Sequence, residues 1–226
     1  MQELLTNENF DKVRTIAIYG GQGSGKTALA YKIMDIVSQN GKKIYFLRHP
    51  KPDMIAKLGW NNLDSLEDVE VLEDCVLYID EPQLHISIYD KKSNAIIAKI
   101  CSLARQKNIL LIISSSDTRV FTKHNEAYFD LWMVKDLDYD MVKQGSKIKK
   151  MLSKYCLFDP VGFRLNKNQF LSECRALSGL NGLHEFEIVD YFTEEHSKPY
   201  RRNYAATYLP MSLQVNSEKN QNSEPK

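Results

Sequence analysis

At 226 residues, with 43% hydrophobic and 26% charged residues, the chain is long enough for one α/β domain with a sizeable core and has the make-up of a globular protein, not a low-complexity or fibrous one. A net charge of +1 excludes a global basic field, so any contact with nucleic acid must come from a local surface. No apolar run is long enough to cross a bilayer. The four cysteines are scattered without a C-x-x-C pair, as reduced core residues would be, and Met1-Gln2-Glu3-Leu4-Leu5 lacks a signal-peptide pattern; the expected compartment is the cytoplasm. In chain order, Val13 to Tyr19 is a β-branched run that reads as a strand, and Lys26 to Gln39 carries Ala30, Ile33, Met34 and Val37 at helical spacing before Asn40-Gly41. Lys43 to Arg48 reads as a second strand, broken by His49-Pro50-Lys51-Pro52, and Asp53 to Val71 as short helices and loop. Cys75 to Ile79 is a buried strand running into Asp80-Glu81. Ser93 to Lys107 places Ile96, Ile97, Ile100 and Leu103 on one helical stripe, and Ile109 to Ser115 and Ala127 to Val134 read as further strands. Lys167 to Ser178 is expected to be a helix and Glu185 to Tyr191 a strand. Alternating strands and helices predict a mostly parallel central sheet with helices on both faces, an α/β fold over 1–134, with a small C-terminal lid or subdomain over 135–211. The segment 212–226, poor in large apolar residues, is expected to be a disordered tail.

The stretch Gly20-Gly21-Gln22-Gly23-Ser24-Gly25-Lys26-Thr27 matches G-x-x-x-x-G-K-[ST], with a strand before it and a helix after it. The glycines let the backbone curl so that successive N–H groups point at phosphate oxygens, and the helix N-terminus adds its dipole. Lys26 suits the β- and γ-phosphates of a nucleoside triphosphate, and the Thr27 hydroxyl suits Mg²⁺. Val76-Leu77-Tyr78-Ile79-Asp80-Glu81 puts two acids at the C-terminal edge of the sheet, where the loop also lies. Asp80 is expected in the Mg²⁺ shell, and Glu81 is placed to orient and deprotonate an attacking water. Serines 114, 115 and 116 end a buried strand; Ser114 lies within the strand, so Ser115 and Ser116 are the candidates to sense the γ-phosphate, although serines also end strands for purely structural reasons.

The order of phosphate loop, Asp-Glu strand, helix ending in Ala104-Arg105-Gln106-Lys107-Asn108 and strand ending in hydroxyls resembles the FtsK/HerA-type P-loop ATPases, including viral packaging ATPases and those related to the zonula occludens toxin. Arg105 matches the family arginine, Asn108 stands in the glycine place, Ser115 matches the Ser/Thr, and Ser116 stands where a glutamine is usual. The resemblance covers about residues 13–134. It implies a homo-oligomeric ring such as a hexamer, ATP and Mg²⁺ as ligands, double-stranded DNA as the translocated or packaged polymer, and an arginine given in trans to a neighbour's site. Arg105 is the first candidate for that role, beside an ordinary arginine at a helix end; Arg119, Arg201 and Arg202 are others. The lysine run over 143–154 and Tyr200-Arg201-Arg202-Asn203-Tyr204 are candidate phosphate-backbone contacts. A compact motor would depend on a recruiting protein such as a capsid component. Two other readings stay open: an ATP-switched regulator that binds proteins and hydrolyses slowly, and a nucleotide kinase.

Overall fold

The computed structural model describes residues 7–85, 91–117, 119–122, 124–137, 146–155, 164–175 and 177–197. The Tyr200–Tyr204 cluster, the tail at 212–226 and Cys156 lie outside them.

Eight strands form one sheet: β1 (Thr15–Tyr19), β2 (Lys43–Leu47), β3 (Asn61–Leu63), β4 (Cys75–Asp80), β5 (Leu110–Ser115), β6 (Leu131–Val134), β7 (Gln169–Cys174) and β8 (Gly182–Glu185), in the order β3-β2-β4-β5-β1-β6-β7-β8. Pairings from β3 through β6 are parallel; β6–β7 and β7–β8 are antiparallel. On one face α1 (Asn7–Asp11), α2 (Lys26–Ser38) and α3 (Pro52–Lys57) pack over Ile16, Ile18, Phe46, Tyr78 and Ile112. On the other, α4 (Lys91–Gln106) and α5 (Ser146–Tyr155) pack over Ala17, Leu77, Ile79, Ile113 and Trp132. A last short helix, α6 (Glu194–Ser197), lies against α2. Every residue of β1, β4, β5 and β6 is buried, which is why these strands read as continuous apolar runs rather than alternating ones. Each fully buried aliphatic side chain there contributes about 1.5–3 kcal/mol, so the central strands are the rigid base on which the loops at their ends are mounted.

Three expectations need correction. Residues 167–178 are not helical: β7 lies between β6 and β8, with Phe170 in one core and Leu171 in the other. An interior strand buries both faces, and Phe170, Leu171, Cys174 and Leu177 then mimic helical spacing. The strand expected at Glu185 to Tyr191 lies earlier, at Gly182–Glu185, where its register with β7 runs from Gly182 opposite Ser172 to Glu185 opposite Gln169. Within Asp53 to Val71, the three-residue β3 was missed because Asn61-Asn62-Leu63 carries no apolar run; it pairs with β2 at the sheet edge through its backbone and through Asn61 Nδ2, which donates to Ile44 O (3.2 Å). The division expected at residue 134 falls between β6 and β7, two hydrogen-bonded neighbours of one sheet. Cys75, Cys101 and Cys174 are free and buried, and among the described residues no helix is long and apolar enough to cross a membrane.

Candidate phosphate-binding site

The parallel strands β1, β4 and β5 all point their C-terminal ends at one edge, so residues 20–27, the Asp80-Glu81 pair and the three serines meet there. The loop is tied down on both sides. Gly20 N donates to Ser115 O (3.4 Å), at the end of β5, and Gly21 N donates to Asp136 O (2.8 Å), after β6. Side chains are excluded at two points. A Cβ on Gly20 would stand 2.6 Å from Lys135 Cβ, and one on Gly25 would stand 2.6 Å from Lys167 O. Gly25 also has φ +92°, the left-handed conformation from which α2 starts with Lys26 and Thr27 in its first turn. Gln22 and Gly23 are exposed at the loop tip.

Lys26 is buried, and its Nζ donates to Gly20 O (3.1 Å) and Gly21 O (3.1 Å) and faces Glu81 Oε1 at 3.3 Å. The amine therefore lies inside the curl of the loop. Ser24 Oγ is buried in the same loop and has no hydrogen-bond partner among the described residues. A buried hydroxyl left unpaired costs about 1–3 kcal/mol, and a phosphate oxygen is the acceptor that would satisfy it. Curled loop, buried ammonium and orphan hydroxyl together fit a phosphate chain.

Opposite the loop, Asp80 is buried on the α2 face of the sheet. Its Oδ1 accepts from Ser114 Oγ, its partner in register on β5, and Ser114 Oγ is in turn 2.8 Å from Tyr78 Oη. Burial, reinforced by the neighbouring Glu81 charge, pushes the Asp80 carboxyl up to about 6 despite these hydrogen bonds and Lys26. Burial also holds the His49 and His85 rings down at about 4, so they bring no positive charge to this side at neutral pH. A hard divalent cation wants oxygen ligands and stabilises an ionised carboxylate, so the donor chemistry of Asp80 and Thr27 fits Mg²⁺.

Glu81 leaves the strand at φ 44°. Its Oε2 accepts from Gln83 Nε2 (2.6 Å), Ser116 N (2.9 Å), Ser115 Oγ (3.2 Å) and Ser116 Oγ (3.2 Å), while Oε1 faces Lys26. Sequence reading paired Ser115 and Ser116 with a phosphate; in the structure both contact Glu81, and the serine it set aside, Ser114, holds Asp80. Aligning the ends of β4 and β5 would have revealed that pairing. Two further groups carried no motif. Gln83 bridges Glu81 and Ser115. Lys135, wholly buried, donates to Lys167 O (2.8 Å) and Gln169 O beside the loop, and burial lowers its pKa to about 7.

Arg105 is not brought to this edge. It ends α4 at the opposite, N-terminal edge of the sheet, where Nη2 donates to Tyr128 O (2.9 Å) and Asp130 Oδ1 (2.9 Å). Asn108 has φ 55°, so the asparagine in the family's glycine place does adopt the left-handed backbone. Arg119 Nε donates to Asp117 Oδ1 (2.9 Å) in its own loop.

No family model and no curated protein matches the sequence. Solved structures do match in fold. The genome-packaging NTPase B204 of Sulfolobus turreted icosahedral virus 2, in complex with AMPPCP, superposes with a TM-score of 0.56 at 17% identity, over 80% of this chain and 100% of that one. The pCW3 conjugation coupling protein TcpA, with ATPγS, gives a TM-score of 0.56 at 15% identity over 80% of this chain; the match spans 62% of the TcpA chain. At such identities the likeness establishes the fold alone. The chain has the P-loop NTPase α/β fold, of the form shared by these two proteins and anticipated from the FtsK/HerA resemblance.

Proposed function

We propose that the chain is a Mg²⁺-dependent ATPase of the FtsK/HerA type, acting as one subunit of a DNA-translocating or DNA-packaging motor. The observation that carries the chemistry is the meeting of Lys26 and Glu81, 3.3 Å apart, within the edge that also holds Asp80 and the phosphate loop. Residues 20–27 bind the triphosphate through backbone N–H groups and the Ser24 hydroxyl, and Lys26 neutralises the β- and γ-phosphates. Thr27 and Asp80 hold Mg²⁺, which when bound offsets charge on the phosphate oxygens. Glu81 takes a proton from the attacking water, and Ser115 and Ser116 report on the γ-phosphate through their contacts with that carboxylate.

DNA handling is supported by the fold likeness to a genome-packaging NTPase and a conjugation coupling protein, and by an exposed lysine face on α5. There Lys149, Lys150 and Lys154 stand exposed close together on one helix, a cluster of ammonium groups suited to a phosphate backbone. Lys147 on the same helix is neutralised by Glu173. Subunits assemble head to tail into a ring, a hexamer in the family pattern, and Arg105 at the edge remote from its own loop serves a neighbour's site. Residues 1–134 are the ATPase core and 135–211 its C-terminal extension; a capsid or other recruiting protein docks the ring to its DNA, in the cytoplasm.

The test is steady-state ATP hydrolysis with and without double-stranded DNA, with Lys26→Ala as control. A several-fold DNA stimulation absent from the variant supports the motor. Hydrolysis indifferent to nucleic acid points to the ATP-switched regulator, and phosphate transfer to an added nucleotide points to the kinase.

A further inference from the structure

We propose that Gln83 is a positioning residue for hydrolysis, holding the Glu81 carboxylate so that only its Oε1 is presented to the reacting water. The proposal rests on the reading of Glu81 as the general base. The turn that delivers Gln83 is rigid. Glu81 N donates to Ser114 O (2.8 Å), Pro82 fixes the next φ, and Leu84 N and His85 N close back onto Glu81 O (2.8 Å) and Pro82 O (3.0 Å). From this turn the Gln83 carboxamide uses both ends. Nε2 donates to Glu81 Oε2 at 2.6 Å, and Oε1 accepts from Ser115 Oγ at 3.0 Å.

The donors around Glu81 are unevenly divided. Gln83 Nε2, Ser116 N and the two serine hydroxyls all address Oε2, and among the described residues Oε1 faces only the Lys26 ammonium, on the phosphate side. A carboxylate held in this way keeps the lone pairs of one oxygen for a proton and commits the other to support. Ser115 has a single proton and two acceptors, Glu81 Oε2 and Gln83 Oε1. Without the amide, the shortest of the four contacts is lost and Oε2 keeps only Ser116 N and the two serine hydroxyls, so the carboxylate is less restrained about its terminal torsion, which is broad by itself. Misplacement of a base by about 1 Å is enough to cost on the order of 100-fold in rate.

The experiment compares wild type, Gln83→Met (equal length, no amide), Gln83→Ala, Glu81→Gln and the Glu81→Gln/Gln83→Met double variant. ATP turnover, KM for ATP and the thermal midpoint are measured on each purified chain. The expected result is a kcat about 10- to 100-fold lower in both Gln83 variants, with KM within about twofold and the midpoint within a few degrees of wild type. In the Glu81→Gln background, Gln83→Met should cost nothing more, because a residue acting through Glu81 has nothing left to position. An unchanged or raised kcat overturns the proposal, as does an equal further loss in the double variant, or KM and midpoint shifting together with kcat. Failure of wild type to hydrolyse ATP, or full activity in Glu81→Gln, removes the base itself and the proposal with it. Failure of Gln83 alone leaves Glu81→Gln inactive and the Gln83 variants normal.

Discussion

The two edges of the sheet hold charge in opposite ways. At the C-terminal edge Lys26 and Asp80 are buried and Glu81 is partly so; Asp80 is pushed up to about 6, and among the described residues Ser24 Oγ has no hydrogen-bond partner. At the N-terminal edge the Asp130 carboxylate is fully used. Oδ2 accepts from Arg14 N (3.0 Å), Thr15 N (3.1 Å) and Thr15 Oγ1 (3.0 Å), and Oδ1 accepts from the half-exposed Arg105. That edge ties the start of β1 to α4 and β6 with satisfied groups. The other edge carries burial and unmet hydrogen-bonding capacity, features that a ligand relieves and that folding alone would not select. The same strand, β1, runs from one edge to the other.

The contrast can be broken first at Gly25. Gly25→Ala meets Lys167 O and needs a left-handed alanine, so it should lower stability by about 2–4 kcal/mol, read as a fall in urea midpoint together with loss of nucleotide binding. Asp80→Asn should act in the reverse sense on stability. A carboxyl whose pKa is raised from 3.8 to about 6 by folding contributes stability that is complete below pH 3.8 and is lost as pH rises through 6. Replacing it by the neutral amide should therefore stabilise the ligand-free protein at pH 8 by on the order of 2 kcal/mol. The gain should shrink towards pH 4 in thermal melts, while Mg²⁺-dependent turnover disappears. The smallest effect is expected at the other edge. Arg105→Ala removes a half-exposed pair worth about 1 kcal/mol or less, so its thermal midpoint should barely move; any loss of turnover should appear in the assembled ring and be rescued by mixing with Glu81→Gln subunits that still carry Arg105.

The parallel core was legible because its strands are buried on both faces and end in recognisable chemistry: Tyr19 before the loop, Ile79 before Asp80, Ile113 before the serines. The C-terminal strands were not. β7 has the spacing of a helix, and the register that makes it a strand is set by Leu131–Val134, far away in the chain. In the site, the loop and the two acids announce themselves by type and spacing. Gln83 and Lys135 do not, since a glutamine in a turn or a lysine after an apolar strand acquires meaning only from the carboxylate or carbonyls placed next to it. Ser114 falls between these cases: its hydroxyl meets Asp80 through strand register, which sequence order alone leaves unassigned.

The most direct measurement is ATP binding and ATP turnover on the same preparation of wild type and Glu81→Gln. If the C-terminal edge is a hydrolytic centre, both proteins bind MgATP with similar Kd, and the variant loses turnover by about 100- to 10,000-fold, the usual contribution of a general base. Turnover in Glu81→Gln at the wild-type rate, or no MgATP binding by the wild type, would contradict it.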